Sequence, residues 1–343
     1  MRADLFDYEL PPGLIAQRPL RRRDASRLLV LERESGRVVH GRFADLAGFL
    51  REGDIAVFNR SRVRRARLTG KLKGGGKAEL LLLKPLDGEA LRWEALGRPA
   101  RRLRPGDRVK VAEGRLEAEV LENLGGGELR VELVMPREAD PEELIEELGK
   151  VPLPPYIKEE LADPERYQTV FADSIGSAAA PTAGLHFTAE MMDALREGGV
   201  ETGFLDLRIG LDTFRPLQEG EVEGHPIHAE EMEVSEGLCL AVNRVRAGGG
   251  RVLAVGTTVV RALETAWRDG ELRPFRGATD LFIYPGYAFR CVDLLLTNLH
   301  LPRSTLLVLV CAFAGRDEVL AAYREAVRRG YRFFSFGDAM LII

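Results

Sequence analysis

Cysteine, histidine, tryptophan and the side-chain amides are scarce in this chain of 343 residues, and each shortage excludes something. The three cysteines, Cys239, Cys291 and Cys311, are odd in number and stand in no metal-ligand spacing, which argues against a disulfide framework and for a reducing compartment. No uninterrupted apolar run approaches the ~18 residues of a membrane span. The longest, Leu306 to Ala314, suits a buried helix or strand. Asp4, Asp7 and Glu9 are not the start of a secretory signal, so a cytoplasmic protein is expected. Asparagine is confined to Asn59, Asn123, Asn243 and Asn298, and glutamine to Gln17, Gln168 and Gln218. With 49 Lys plus Arg against 53 Asp plus Glu, that composition suits a thermophile, although a GC-rich genome also favours Arg and Ala.

The net charge of −4 carries no global sign of nucleic-acid binding, but its distribution does. Between Arg60 and Lys110 there are 16 basic and 5 acidic residues, and between Arg137 and Glu165 there are 3 basic and 10 acidic. Such polarity is a steering field for a phosphate backbone or, more plainly, a solvated surface rich in ion pairs.

At this length two domains are the natural expectation. Pro11 to Ala16 reads as a short helix, Arg27 to Glu32 and Asp54 to Asn59 as strands, and Asp45 to Leu50 as a short helix between them. From Val63 to Val134 the texture changes to six short alternating segments: Ala66–Lys73, Ala78–Leu83, Leu91–Leu96, Arg108–Val111, Leu116–Leu121 and Leu129–Leu133. Turns such as Gly74-Gly75-Gly76 and Gly125-Gly126-Gly127 separate them, which predicts a small antiparallel barrel. Those glycines are hairpin tips, since no strand–Gly-x-Gly-x-x-Gly–helix context surrounds them. A short acidic helix over 141–149 returns the chain. Strands over Val200–Ile209, Arg251–Val255, Leu281–Tyr284 and Tyr331–Phe336 then alternate with helices over Ala189–Glu197, Val259–Asp269, Thr305–Phe313 and Asp317–Arg329. The expected fold is α/β, a mostly parallel or mixed sheet flanked by helices, with an inserted small antiparallel β-barrel domain. Residues 1–62 plus 150–343 form the α/β domain in this reading, and 63–149 the barrel with its acidic return helix.

Residues 166–188 are neither an amphipathic helix nor an alternating strand. Small residues from Gly176 to Gly184 allow close backbone approach, and Tyr167, Gln168, Ser177, Thr182 and His186 punctuate them with polar groups. The loop feeds a helix capped by Thr188, a good place for a polar ligand or simply a tight crossover with a core histidine. Gly256-Thr257-Thr258 is a second strand-to-helix turn. His225-x-x-His228-x-Glu230 offers acid/base groups, metal ligands or a surface loop. His300, flanked by leucines, reads as a core residue or a proton carrier. Arg261 and Glu264, three apart, read as an exposed ion pair.

Several segments together resemble the S-adenosylmethionine:tRNA ribosyltransferase-isomerase family of queuosine biosynthesis, over nearly the whole chain. They include Phe6-Asp7-Tyr8-Glu9-Leu10-Pro11, Arg23-Asp24-Ala25-Ser26-Arg27-Leu28, Val57-Phe58-Asn59-Arg60-Ser61-Arg62-Val63 and Leu153-Pro154-Pro155-Tyr156-Ile157. They continue with Ala180-Pro181-Thr182-Ala183-Gly184-Leu185-His186-Phe187-Thr188, Ala254-Val255-Gly256-Thr257-Thr258, Tyr284-Pro285-Gly286, Thr297-Asn298-Leu299-His300-Leu301-Pro302 and Phe336-Gly337-Asp338-Ala339-Met340. The resemblance implies that the ribosyl part of S-adenosylmethionine is transferred to 7-aminomethyl-7-deazaguanine in a tRNA anticodon and isomerised to an epoxycyclopentane, with release of adenine and methionine. S-adenosylmethionine is then a substrate, and no metal is expected.

The candidate catalytic residues are His186, His228, Glu230 and His300, with Asp212 and Asp338 as further sources of charge. Candidates for holding S-adenosylmethionine or the base are Tyr167, Gln168, Gly176, Ser177, Pro181, Thr182, Gly184, Phe187, Thr213, Phe214, Gly256, Thr257, Thr258, Tyr284 and Asn298. Tyr167, Phe187, Phe214 and Tyr284 are the rings available for stacking. Arg60, Arg62, Arg64, Arg65, Arg101, Arg102 and Arg104 are candidates for tRNA phosphates. Members of that family usually carry His at the position of Arg208 and Gly at that of Asp212, a departure that tells against a catalytic histidine there. A non-catalytic tRNA-binding protein using the basic barrel is the alternative, and a metal hydrolase on His225, His228 and Glu230 a third; the small-residue loop favours an enzyme. No long exposed apolar stripe forces an oligomer, so a monomer is expected.

Overall fold

The computed structural model describes residues 1–210, 217, 220–225, 227 and 229–343. Contacts group Met1–Arg62 with Pro154–Ile343 and set Val63–Leu153 apart as a second unit. Among the described residues no helix is long and apolar enough to cross a membrane.

The first unit is built on a nine-stranded mixed sheet. Its strand order is Phe275–Thr279, Glu230–Val234, Glu201–Leu207, Ile55–Asn59, Val252–Val255, Leu294–Asn298, Ala339–Ile342, Arg27–Leu31 and Val38–Arg42. The four strands from Glu201–Leu207 to Leu294–Asn298 run parallel. Ile55–Asn59, Val252–Val255 and Leu294–Asn298 are apolar almost throughout because both faces are covered, whereas Glu201–Leu207 is only partly buried. Ile55 and Val57 enter a core shared with the helices Glu236–Ala247, Thr257–Ala266, Thr305–Ala314 and Arg316–Arg328, whereas Ala56 and Phe58 enter a core on the other face with the helix Ala189–Glu197 and the 3-10 segment Phe43–Phe49. Thr188 caps the helix Ala189–Glu197, its side chain accepting from the Met191 N–H.

The second unit is a closed antiparallel barrel of six strands: Arg67–Lys71, Lys77–Pro85, Arg92–Arg98, Arg108–Val111, Leu116–Gly125 and Glu128–Val134. Alternate side chains fill it, with Leu68, Leu80, Leu82, Trp93, Val109, Val120 and Val131 inside. Closure leaves no room at Gly70, where an added Cβ would lie 2.4 Å from the Lys110 carbonyl oxygen. Gly125, Gly126 and Gly127 all have positive φ at a hairpin tip, as the sequence predicts.

Several expected elements move. Pro12–Leu14 and Phe43–Phe49 are 3-10 rather than α-helical. The strand expected at Leu281–Tyr284 is irregular, and the chain pairs instead at Phe275–Thr279. The last strand is Ala339–Ile342, not Tyr331–Phe336. The helix expected to run to Asp269 stops at Ala266, because Trp267–Arg268 pairs with Glu271–Leu272. At Phe275–Thr279 and Ala339–Ile342, pairing partners distant in sequence override a local apolar run.

Candidate active site

The parallel strands bring Asn59, Arg208–Gly210, Gly256–Thr258 and Asn298–His300 to one edge of the sheet, where their C-terminal ends lie, the usual ligand edge of an open α/β sheet. Ala339–Ile342 runs antiparallel to Leu294–Asn298 and parallel to Arg27–Leu31, so the N-terminal ends of these two strands, with Asp338 and Ser26, reach the same edge. The small-residue loop packs across it. The Ala178 N–H donates to the Ile209 carbonyl at 2.9 Å, and Ser177 Oγ accepts from the Ile209 N–H at 2.9 Å while donating to the Ala179 carbonyl at 2.6 Å. Between loop and sheet lies a small cleft, bounded by Ala180–Ala183, Gly256–Thr258, Thr297, Asn298 and His300. Gly256 has φ +100°, which a residue with a Cβ adopts only under strain, and it starts the helix Thr257–Ala266 with no side-chain cap.

A chain of hydrogen bonds runs behind the cleft. The Thr182 hydroxyl donates to Asn298 Oδ1 at 2.8 Å. This leaves Asn298 Nδ2 facing His186 Nε2 at 3.2 Å, and an amide nitrogen can only donate. His186 therefore carries its proton on Nδ1 and donates it to Ser26 Oγ at 2.8 Å. Phe43 stacks on the ring with centroids 4.9 Å apart. Burial first, then the nearby Arg332 and Arg23, push the His186 pKa down to about 4. His186 also lines a second small pocket with Arg23, Arg166, Ser335 and Gly337. His300 is buried, receives or gives a hydrogen bond at Nε2 with Thr297 Oγ1 (2.8 Å), and has its pKa pushed down to about 3 by burial. Its Nδ1 has no partner among the described residues.

Both imidazoles are thus neutral in the folded protein down to about pH 4 and 3, whereas the unfolded chain takes up those protons near 6.5. The unfolded state binds more protons below pH 6.5, so stability falls as pH drops from 6.5 towards 4. The His186 share is about 3 kcal/mol. The expected result is a urea midpoint that declines through this window, less steeply in His186→Gln. Equal slopes in the two proteins would count against a neutral buried His186.

The sequence candidates separate into distinct groups. Pro181, Thr182, Gly256, Thr257, Thr258, Asn298 and His300 meet at the cleft, and His186 stands directly behind it. Ser177 and Gly176 shape the loop; Gly176 lies against the Arg208 side chain, which pairs with Glu231 at 2.8 Å. Gly184 is a packing position, since a Cβ there would lie 2.8 Å from Phe171 Cζ. Gln168 is buried beneath the loop. Tyr167 and Phe187 are fully buried, Tyr167 edge-on to Phe336 and Phe187 edge-on to Phe43 and Phe58, so neither ring has a face for a base. Tyr284 is half-buried and packs edge-on to Phe282. Asp338 is a structural carboxylate that accepts from the Arg27 and Arg332 backbone N–H groups. Glu230 is buried, accepts from the Gly210 N–H at 2.9 Å and pairs with Arg261. Asp212, Thr213, Phe214 and His228 lie outside the described residues.

Arg261 and Glu264 depart from the exposed pair expected of them. Both are buried and they do not pair with each other; Glu264 accepts from the backbone N–H groups of Arg290, Cys291 and Val292. The basic block is also less free than its charge suggests. Arg60 pairs with Asp206 at 2.9 Å and Arg62 with Glu165 at 2.8 Å. In the barrel unit, Arg64 is held by Glu142 at 2.9 Å and lies over Trp93 at 4.8 Å, and the Arg65 backbone N–H donates to Glu146. Arg101, Arg102 and Arg104 are exposed and carry no ion pair among the described residues. Sequence reasoning missed Ser26, whose only signal was its place in the Arg23–Leu28 motif.

Among the described residues no group of three His, Cys, Asp or Glu is placed to hold a metal ion. A family model described as "Queuosine biosynthesis protein" matches residues 3–342. A Symbiobacterium thermophilum protein named S-adenosylmethionine:tRNA ribosyltransferase-isomerase is 53% identical over 345 residues, covering 100% of both chains. A protein of the same name from Moorella thermoacetica is also 53% identical over 100% of both chains. Among solved structures, the crystal structure of an S-adenosylmethionine tRNA ribosyltransferase from Thermotoga maritima is similar with a TM-score of 0.57 and 39% identity, over 99% of this chain and 100% of that one.

Proposed function

The chain belongs to the queuosine biosynthesis protein family, and from that membership we propose that it acts as an S-adenosylmethionine:tRNA ribosyltransferase-isomerase. Its substrates are S-adenosylmethionine and tRNA, and the acceptor is 7-aminomethyl-7-deazaguanine in the anticodon. The full-length relatives at 53% identity carry this reading. The cleft supports it, because small residues and hydroxyls line a space at the ligand edge of the sheet. A monomeric, cytoplasmic enzyme is part of the same proposal.

The reaction needs a proton removed beside the sulfonium, a proton given to departing adenine and water kept from the ribose. In this reading Thr182, Thr257 and Thr258 bind and orient the sulfonium substrate. His300, at the cleft wall with Nδ1 unpartnered among the described residues, is a group that hydrogen-bonds the substrate. His186 has both ring nitrogens engaged, so its role is to hold Asn298 and Thr182 in place. Of the seven candidate arginines, Arg101, Arg102 and Arg104, exposed and without an ion pair among the described residues, serve the tRNA phosphates.

Incubating the protein with S-adenosylmethionine and tRNA carrying the modified base should release free adenine and add a ribosyl-derived mass to the nucleoside. Intact S-adenosylmethionine with measurable tRNA binding would instead favour the non-catalytic tRNA-binding alternative.

A further inference from the structure

The helix Thr257–Ala266 points an uncapped N-terminus at the cleft. Its first N–H groups need acceptors, and Gly256 offers no side chain to supply one. Two buried polar atoms in the same wall lack partners among the described residues: Thr258 Oγ1 and His300 Nδ1. Their residues are 6% and 4% exposed. Left unmade, such hydrogen bonds are costly in a buried wall, so a ligand that completes them is favoured. Donors, a helix dipole and a wall of small residues point to one class of occupant, an anion.

No described residue lining this cleft carries a charge at neutral pH, because His300 is held neutral by burial. When the Thr297 hydroxyl donates to His300 Nε2, the His300 proton sits on Nδ1, the nitrogen without a partner among the described residues. Neutral donors without a counter-cation suit an anion that brings its own positive charge. An α-amino carboxylate is such a group, and it is the anionic end of S-adenosylmethionine. A phosphate of the tRNA backbone is the other anion the proposed reaction supplies, but it brings no cation of its own.

Resting on the function proposed above, we propose that Thr258, His300 and the first turn of the helix Thr257–Ala266 form the subsite for the carboxylate of the methionine moiety. The subsite anchors the end of the molecule that leaves as methionine. The ribose and adenine are thereby held in a fixed direction from the helix terminus.

The test compares S-adenosylmethionine with its decarboxylated analogue, S-adenosyl-3-methylthiopropylamine, which keeps the sulfonium, ribose and adenine. Binding is read by calorimetry on the full-length protein. The wild-type protein should prefer S-adenosylmethionine by about tenfold or more, the discrimination expected of one lost set of charge-assisted hydrogen bonds. Thr258→Val keeps the branched shape, removes the hydroxyl, and should narrow that preference to about threefold with tRNA affinity unchanged. Thr258→Ser keeps the hydroxyl and should keep the preference, which separates hydrogen bonding from misfolding. An unchanged preference in Thr258→Val overturns the proposal. If that variant also loses tRNA affinity, with a salt slope reduced by about one, the anion is a phosphate. Adenine release by the wild-type protein is followed in parallel. Its absence while S-adenosylmethionine still binds would remove the transferase reading and leave the subsite test standing.

Discussion

Glu230→Ala should lower the folding stability by about 3–5 kcal/mol, the usual cost of stranding a buried charge. Arg261 is 8% exposed, and its guanidinium also donates to the carbonyls of Leu281 (2.9 Å) and Thr279 (3.2 Å), so it cannot swing out to water without breaking them. The carboxylate of Glu230 neutralises it and accepts from the Gly210 N–H. Alanine removes both services at once. The double variant Glu230→Ala/Arg261→Met should recover much of the loss, since an apolar pair of similar volume needs no counter-charge. Urea unfolding of the three proteins measures this. A loss below about 1 kcal/mol for the single variant would mean that water reaches Arg261. The same residue is a catalytic candidate from sequence, and Glu230→Gln separates the two roles. A well-folded Glu230→Gln protein with a collapsed rate of adenine release would restore Glu230 to the chemistry.

Asn298→Ala should slow adenine release by about 100-fold, the scale of a misplaced reacting group. Asn298 is the hub between the cleft and what stands behind it: its oxygen holds Thr182 and its nitrogen holds His186. Without it, the Thr182 hydroxyl at the cleft wall turns freely and His186 Nε2 has no donor. Asn298→Asp keeps the acceptor for Thr182 but presents a second oxygen to Nε2. That oxygen favours a proton on the imidazole and should raise the His186 pKa from about 4. The expected signature is a low rate for both variants, with a shifted acid limb of the rate profile only in the aspartate. A rate within about threefold of wild type for Asn298→Ala would place the reacting atoms away from this cleft.

Local chemistry in the sequence reached far in some regions. Barrel strands alternate because one face is filled and the other wet, as in Glu128–Val134, so their period is visible without any partner. The helix Ala189–Glu197 announces itself through Thr188 and Gly198. The Gly256-Thr257-Thr258 turn and the Ala180–Phe187 loop stand out by composition, and they do meet at the cleft. Elsewhere the signal was hidden. Leu294–Asn298 is buried on both faces and so has no alternation to read. Glu230–Val234 alternates in burial, but its charged spelling conceals a sheet strand.

The sequence by itself determined the barrel's alternation, the capped helix Ala189–Glu197 and the turn and loop that meet at the cleft, because caps, turns and periodicity act over a few neighbouring positions. Tertiary structure alone decided which of those residues are free to act. His186 is locked by Ser26 and Asn298, 160 and 112 positions away in the chain, and Arg261 is neutralised by Glu230 across 31. Tyr167 and Phe187 are fully buried against other side chains, and Arg64 gives its charge to Glu142. Protonation, pairing and exposure are set by what surrounds a side chain in space, and burial makes those surroundings count for several kcal/mol where the local sequence counts for tenths.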